Sequence, residues 1–407
     1  MGDALADLSP WHSSVLGELL SLEYGASLKD DARVTGTVPV YGSNGQVGWH
    51  DRPLVEGPGI IVGRKGSVGR LAWSENSFWP IDTAYFVSLR KKTEWRWLFW
   101  LLQELNLERL DASTGIPGLN RKDVYRLRVD EPPPDEQRRI AEVLDTIDAT
   151  IRETEALVAK LRQVRAGLLY DLFAYGLNVH SHLRDPAHDP GQFQDTQFGC
   201  IPRGWRLKPL GKALELIMDY RGRTPRKLGM HWGDGEIPAL SAKNVSMGGI
   251  DLKRETYYGS QALYDRWMTV GHVARDDVLL TLEAPLGNVA WIPDDRRYIL
   301  SQRVVLLRPN SDELDKVFFR YQLATERFQR AMRHHATGTT ATGIQRAKLE
   351  TIHVLVPPEM DEQRQIAALL SSQDASIEAE REKLAKLHFL RRGLAHDLLT
   401  GRVRVKA

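Results

Sequence analysis

The chain has one cysteine, Cys200, among 407 residues. That excludes an internal disulfide framework and any four-cysteine zinc site, and it fits a reducing compartment. Long hydrophobic runs are also missing. The longest, such as 97–102, fall far short of the ~20 residues that span a bilayer. Residues 1–10 lack the basic start and apolar core of a signal peptide. A cytoplasmic protein without membrane attachment is expected. Charge of one sign is scarce as well. With 55 basic and 53 acidic residues the net charge is +2, so any polyanionic partner must be sought in local clusters.

Catalytic signatures are absent too. Gly63-Arg64-Lys65-Gly66-Ser67-Val68-Gly69 is glycine-rich but does not have the G-x-x-x-x-G-K-[ST] spacing of a phosphate loop. The adjoining Leu71-Ala72-Trp73 reads as a strand, whereas a dinucleotide fingerprint needs a helix there. Glu131–Pro134 and Val356–Glu359 lack the Asn/Asp that opens an adenine-methyltransferase loop and are better explained as helix punctuation. His334-His335 has no Cys or acidic neighbour and reads as solvated or phosphate-facing, so no metal site is expected. No nucleophile–base pair is supported by spacing. The expectation is a chain with no catalytic residues.

What the sequence does contain is a repeat. Asp135-Glu136-Gln137-Arg138 returns as Asp361-Glu362-Gln363-Arg364, 226 residues later. Laid without a gap, 135–172 and 361–398 share 18 identities in 38 positions, which identifies a tandem duplication. Each copy reads as a long helix of roughly 55 Å. Prolines precede it, Asp135 and Asp361 are candidate N-caps, and acidic residues suit the positive end of the dipole. Apolar residues step by 3 and 4 in a heptad seam: Leu144, Ile151, Val158, Leu161 and Leu168 in the first copy, Leu370, Ile377, Leu384, Leu387 and Leu394 in the second. Polar breaks recur at Thr154/Glu380 and Arg165/Arg391. The simplest partner for each helix is the other, laid antiparallel.

The predicted layout is a globular domain over 1–131, a spacer helix over 132–177, a polar linker over 178–204, a second globular domain over 205–355 and a second spacer helix over 356–407. In the first domain, short strands are predicted at 38–41, 59–63, 69–73 and 83–89, a turn at 42–45, a helix at 95–107 and a loop at 114–120. The second domain repeats the first more loosely. Gly59–Trp73 falls on Asp277–Trp291 at an offset of 218, and Gly118-Leu119-Asn120-Arg121 resembles Gly343-Ile344-Gln345-Arg346. Similar helices with diverged globular parts suit a protein that binds two different things at a set distance.

Basic residues cluster at 203–227 and 320–348 and in the first domain around Arg64, Arg90 and Arg121. Recurrence beside loops of both domains points to nucleic acid. Phosphate contacts need Lys or Arg, and base reading needs Arg, Asn, Gln, Ser or Thr on reaching loops. The candidates are Ser43, Asn44, Arg64, Lys65, Ser67, Arg121 and Lys122 in the first domain. In the second they are Arg221, Arg223, Lys243, Asn244, Gln302, Arg303, Thr339, Thr340, Gln345 and Arg346. The rival readings are a DNA-modifying enzyme with an unrecognised site, a coiled-coil scaffold that binds only proteins, and an RNA binder.

Two divergent domains, each opened by Trp11…Leu16-Gly17 or Trp205…Leu210-Gly211 and closed by a Glu-Gln-Arg helix, resemble the specificity subunit of type I restriction-modification systems. Ile201-Pro202…Gly204-Trp205 and Pro39-Val40-Tyr41-Gly42-Ser43-Asn44-Gly45 add to the resemblance, which covers nearly the whole chain. It implies an α+β fold, with two target-recognition domains of mixed β-sheet and short helices separated by two long antiparallel coiled-coil helices. It also implies double-stranded DNA and two methyltransferase subunits as partners, with two restriction subunits where a nuclease is attached. Cofactors would lie elsewhere: S-adenosylmethionine in the methyltransferase subunits, ATP and Mg in restriction subunits.

Overall fold

A computed structural model describes residues 11–111, 118–196, 199–338 and 342–405. It divides into two compact units, one of Met1–Leu157 with Glu380–Ala407 and one of Val158–Ala379. Each contains half of each long helix.

In the first unit a four-stranded antiparallel sheet runs in the order Leu20–Tyr24, Ala84–Leu89, Gly59–Gly63, Leu71–Ser74. Beside it lies a three-stranded sheet in which Val38–Gly42 pairs antiparallel with Gly45–His50 and parallel with Trp79–Pro80. His12–Val15 pairs with Arg128–Glu131, joining the entry of the globular part to its exit. The second unit repeats this plan strand for strand. Its four-stranded sheet is Leu214–Asp219, Val304–Pro309, Val278–Leu282, Leu286–Trp291. Its three-stranded sheet holds Ile237–Leu240 between Tyr257–Gly259 and, in parallel, Ile299–Leu300. Arg206–Pro209 pairs with His353–Val356. The duplication thus extends to topology, although few of the side chains agree.

The long helices are Pro134–Tyr175 and Met360–Leu399. Asp135 and Asp361 therefore lie in the first turn, not at the N-cap: Pro134, which needs no amide partner, begins the first helix itself. The expected second spacer to 407 is shorter, because the helix ends at Leu399 and Gly401 turns the chain at φ +71°. The polar stretch 178–204 also differs from a plain linker. It holds an antiparallel hairpin, Phe193–Thr196 with Gly199–Pro202, and buries Phe193 and Ile201. Its polar side chains hid two core residues and an ion-pairing arginine, Arg184.

Within each unit the helix halves run antiparallel. In the first, Arg391 Nη1 donates to Asp148 Oδ1 at 2.8 Å. In the second, Arg165 pairs with Asp374, which also accepts from Tyr321 Oη at 2.8 Å. These are the same two repeat positions used twice, so the polar breaks at Arg165 and Arg391 are matched ion pairs. Thr154, the other break in the first helix, is buried, and its hydroxyl donates to Thr150 O. Of the seam residues, Leu144, Ile151, Val158, Leu370 and Ile377 are buried and Leu161, Leu168, Leu384, Leu387 and Leu394 are half-buried.

The repeated Glu-Gln has a structural reason. Glu136 accepts from Trp11 Nε1 at 3.0 Å, from Arg404 and from Val405 N. Glu362 accepts from Trp205 Nε1 at 3.1 Å, from Arg184 and from Leu177 N. Each glutamate fastens the opening tryptophan of its own globular part to the segment that follows the other helix. Burial disfavours a charged Glu136, but hydrogen bonds from Arg404, Trp11 and Val405 outweigh it and hold the carboxyl below its usual range. The neighbouring glutamines are almost wholly buried. Gln137 accepts from Glu94 N and donates to Pro132 O. Gln363 accepts from Asp315 N and donates to Glu313 O and Pro357 O. Both satisfy backbone groups where a short helix begins, at Trp95–Glu104 and Lys316–Leu323.

Candidate nucleic-acid interface

In the first unit three loops converge. The turn after Val38–Gly42 carries Ser43 and Asn44. The turn after Gly59–Gly63 carries Arg64, Lys65 and Ser67. The third loop enters the helix Arg121–Tyr125, capped by Asn120. Ser43 N donates to Thr83 Oγ1 at 3.3 Å, and Asn44 Oδ1 accepts from Ser67 Oγ at 3.4 Å and from Arg70. Arg64 N and Lys65 N donate to Thr83 O, and Leu119 N to Arg64 O. A Cβ on Gly63 would stand 2.0 Å from Ser67 O, so glycine there permits a close backbone approach. The amides at Arg64 and Lys65 are spent on protein carbonyls, unlike those of a phosphate loop.

The guanidinium groups have an aromatic floor. Arg121 sits 4.5 Å and Arg64 5.2 Å from the Tyr24 ring centroid, and both stand 5.9 Å from Tyr85. Arg64 Nε donates to Asp82 O and Arg121 Nη1 to Leu22 O. Burial, and then the Tyr24 hydroxyl, push Tyr85 up to about 12, so it stays a neutral donor to Leu119 O. Lys65, Lys122 and Asn44 are exposed.

The same place in the second unit is built from other residues. Glu283 bridges to Gly343 as Lys65 bridges to Gly118. Arg221 Nε and Nη2 donate to Asp219 at 2.9 and 2.6 Å, and Nη1 reaches Ile344 O. Burial opposes charge on Asp219, yet hydrogen bonds from Arg221 prevail and keep its carboxyl below the usual range. Arg346 pairs with Glu350 at 2.6 Å, Lys243 with Glu255 at 2.6 Å, and Arg303 more loosely with Glu283 at 3.5 Å. Gln302 Nε2 donates to Arg223 O at 2.8 Å, and Arg223 reaches Thr269 Oγ1 at 3.1 Å. Gln345, Gln302 and Arg303 are exposed.

One candidate is corrected. Asn244 is fully buried. Its Oδ1 accepts from Ser241, and its Nδ2 donates to Thr256 Oγ1 and nearby carbonyls, leaving nothing for a base. Thr339 and Thr340 lie outside the described residues. Sequence reasoning missed Tyr24, whose isolated position in a strand gave no signal, and Arg70. Among the described residues no group of three or more His, Cys, Asp or Glu could hold a metal, and no helix is long and apolar enough to cross a membrane.

Comparison with known proteins accords with this architecture. The chain is 25% identical over 324 residues to a putative type I restriction enzyme MjaX specificity subunit from Methanocaldococcus jannaschii, covering 78% of this chain and 70% of that one. It is 26% identical over 310 residues to the MjaVIII specificity subunit of the same organism, covering 75% and 69%. Its fold matches the crystal structure of a type I restriction-modification S subunit from M. genitalium, with TM-score 0.63, 15% identity and 98% of both chains covered. A chain from a structural study of type I system assembly matches with TM-score 0.55 and 16% identity over 97% of this chain and 99% of that one. The family model for the type I restriction modification DNA specificity domain matches residues 9–163 and again 202–388, one match for each half of the duplication. With both halves matched and the topology repeated, this chain belongs to the type I restriction-modification DNA specificity family.

Proposed function

We propose that the chain is the DNA-recognition subunit of a type I restriction-modification complex and reads an asymmetric, two-part duplex site. Each unit reads one block of base pairs, the helix pair sets the unread spacer, and the helices dock two methyltransferase subunits. The observation that carries this reading is one topology used twice with unlike side chains at the same place: Tyr24, Arg64 and Lys65 in the first unit, Arg221, Glu283 and Arg303 in the second. Identical scaffolds with different surfaces fit two different half-sites, in the way that reader geometry sets half-site spacing. The candidates lie on loops beside sheets, where Arg and Lys can neutralise phosphates and short polar side chains can reach base edges.

The chain itself acts without chemistry. S-adenosylmethionine is bound by the methyltransferase subunits, where a target adenine leaves the stack. ATP and Mg belong to restriction subunits where a nuclease is attached. The test is to insert four residues into both helices and map methylated adenines by sequencing. Four residues add roughly 6 Å of helix, so the spacer should lengthen by one or two base pairs with both half-sites unchanged. An unchanged spacer refutes the ruler.

A further inference from the structure

Two residues of the second unit hold a backbone conformation that side chains rarely adopt. Ala284 has φ +42° and Arg303 has φ +65°. The other non-glycine residues with positive φ among those described are Asn106, Ser181 and Asp276, small polar types that tolerate it better. Both strained residues belong to the recognition cluster. Ala284 follows Glu283 in the turn between Val278–Leu282 and Leu286–Trp291. Arg303 precedes the strand Val304–Pro309, and its carbonyl accepts from Leu282 N at 2.9 Å. In the first unit the turn position matching Ala284 is Gly66, at φ +80°, where glycine adopts the same region without strain.

Strain of this kind clusters at functional sites, held by the structure around it. Arg303 is also the loosely held arginine of its cluster. Arg221 is gripped at Nε and Nη2 by Asp219, and Arg346 is held by Glu350. Among the described residues Arg303 pairs only with Glu283, at 3.5 Å, and its side chain is 50% exposed, so the planar fork of donors stays open. In the first unit the matching position, just before the strand Ala84–Leu89, is Thr83, whose carbonyl accepts from Arg64 N at 2.9 Å; there the guanidinium groups come from Arg64 and Arg121, over Tyr24 and Tyr85, instead.

Resting on the reading of the chain as a two-headed DNA reader, we propose that Arg303 is a base-reading residue. Its guanidinium donates two hydrogen bonds to O6 and N7 of a guanine in the major groove of the second unit's half-site, with Glu283 steering the fork. Arg303→Gly removes the fork and the strain together. Arg303→Ala removes the fork alone.

The experiment selects bound sequences from a random duplex pool with the full-length chain, wild type and variants, and records each thermal midpoint. Wild type should enrich two separated blocks. Both variants should keep both blocks but lose one guanine in one block, with discrimination there falling roughly 5- to 100-fold. The midpoint of Arg303→Gly should equal or exceed the wild-type value and exceed that of Arg303→Ala. An unchanged motif in both variants, or a lower midpoint for Arg303→Gly than for wild type, overturns the proposal. Failure of the wild-type chain to enrich two blocks would sink the two-headed reading itself, and is told apart because it occurs before any substitution.

Discussion

Truncating Glu362 to alanine should loosen the second unit more than any surface change. The carboxylate is 9% exposed and accepts from Arg184 Nη1 at 2.6 Å, Leu177 N at 2.8 Å and Trp205 Nε1 at 3.1 Å. Glu362→Ala strands a partly buried guanidinium, a buried amide and a buried indole N–H at once. Breaking a buried pair from one side costs about 3–5 kcal/mol, and that range already contains most of the orphaned-donor penalty. Removing both charges with Arg184→Met/Glu362→Met should cost less than the single truncation, because no buried cation is left behind. The assay is hydrogen exchange on the full chain. Amides of 172–185 and 205–210 should exchange about 10²–10⁴ times faster in Glu362→Ala, while those of 12–24 keep their protection. A loss under about 1 kcal/mol, or a double variant as damaged as the single one, refutes the clasp.

Three further outcomes are expected. Gln137→Ala and Gln363→Ala should each destabilise by about 1–3 kcal/mol in urea unfolding, since each orphans the backbone N–H of the residue that caps a short helix together with at least one carbonyl. Glu136 has a depressed carboxyl pKa in the folded chain, so its contribution is full above the ordinary carboxylate range and is lost as pH falls through the lower folded value. Between pH 6 and pH 3 the wild-type urea midpoint should therefore fall more steeply than that of Glu136→Gln; parallel profiles would contradict the shift. Arg64→Gln/Arg121→Gln should reduce the slope of log affinity against log salt by about 2 for any duplex sequence, and titrations in KCl with a labelled duplex would reveal a slope left intact.

The repeat made the long helices legible, because a heptad seam and matched Glu-Gln-Arg starts are local signals written along one element. The glycine-punctuated strands were legible for the same reason: strands ending at Gly63 and Leu89 announce themselves by alternation and by turns. What could not be read was pairing at long range. Nothing local says that His12–Val15 meets Arg128–Glu131, or that Arg184 answers Glu362. The stretch 178–204 looked like a tether because its few buried residues, Phe193 and Ile201, are diluted by polar neighbours. Asn244 was misjudged because a loop asparagine that serves the fold and one that serves a base have the same sequence signature. Arg303 could be named a candidate, but its backbone strain exists only in three dimensions.

The crossed fastening of the glutamates also dictates an order of events during synthesis. The second unit lies within one uninterrupted stretch, Val158–Ala379, and carries its own Arg184 and Glu362. The first unit is assembled from both extremities of the chain, and its Glu136 waits for Arg404. A ribosome therefore releases material for a finished second unit while the first still lacks its returning helix half, Leu398, Leu399 and the arginine that locks them in place. The reader encoded earliest is the one completed last.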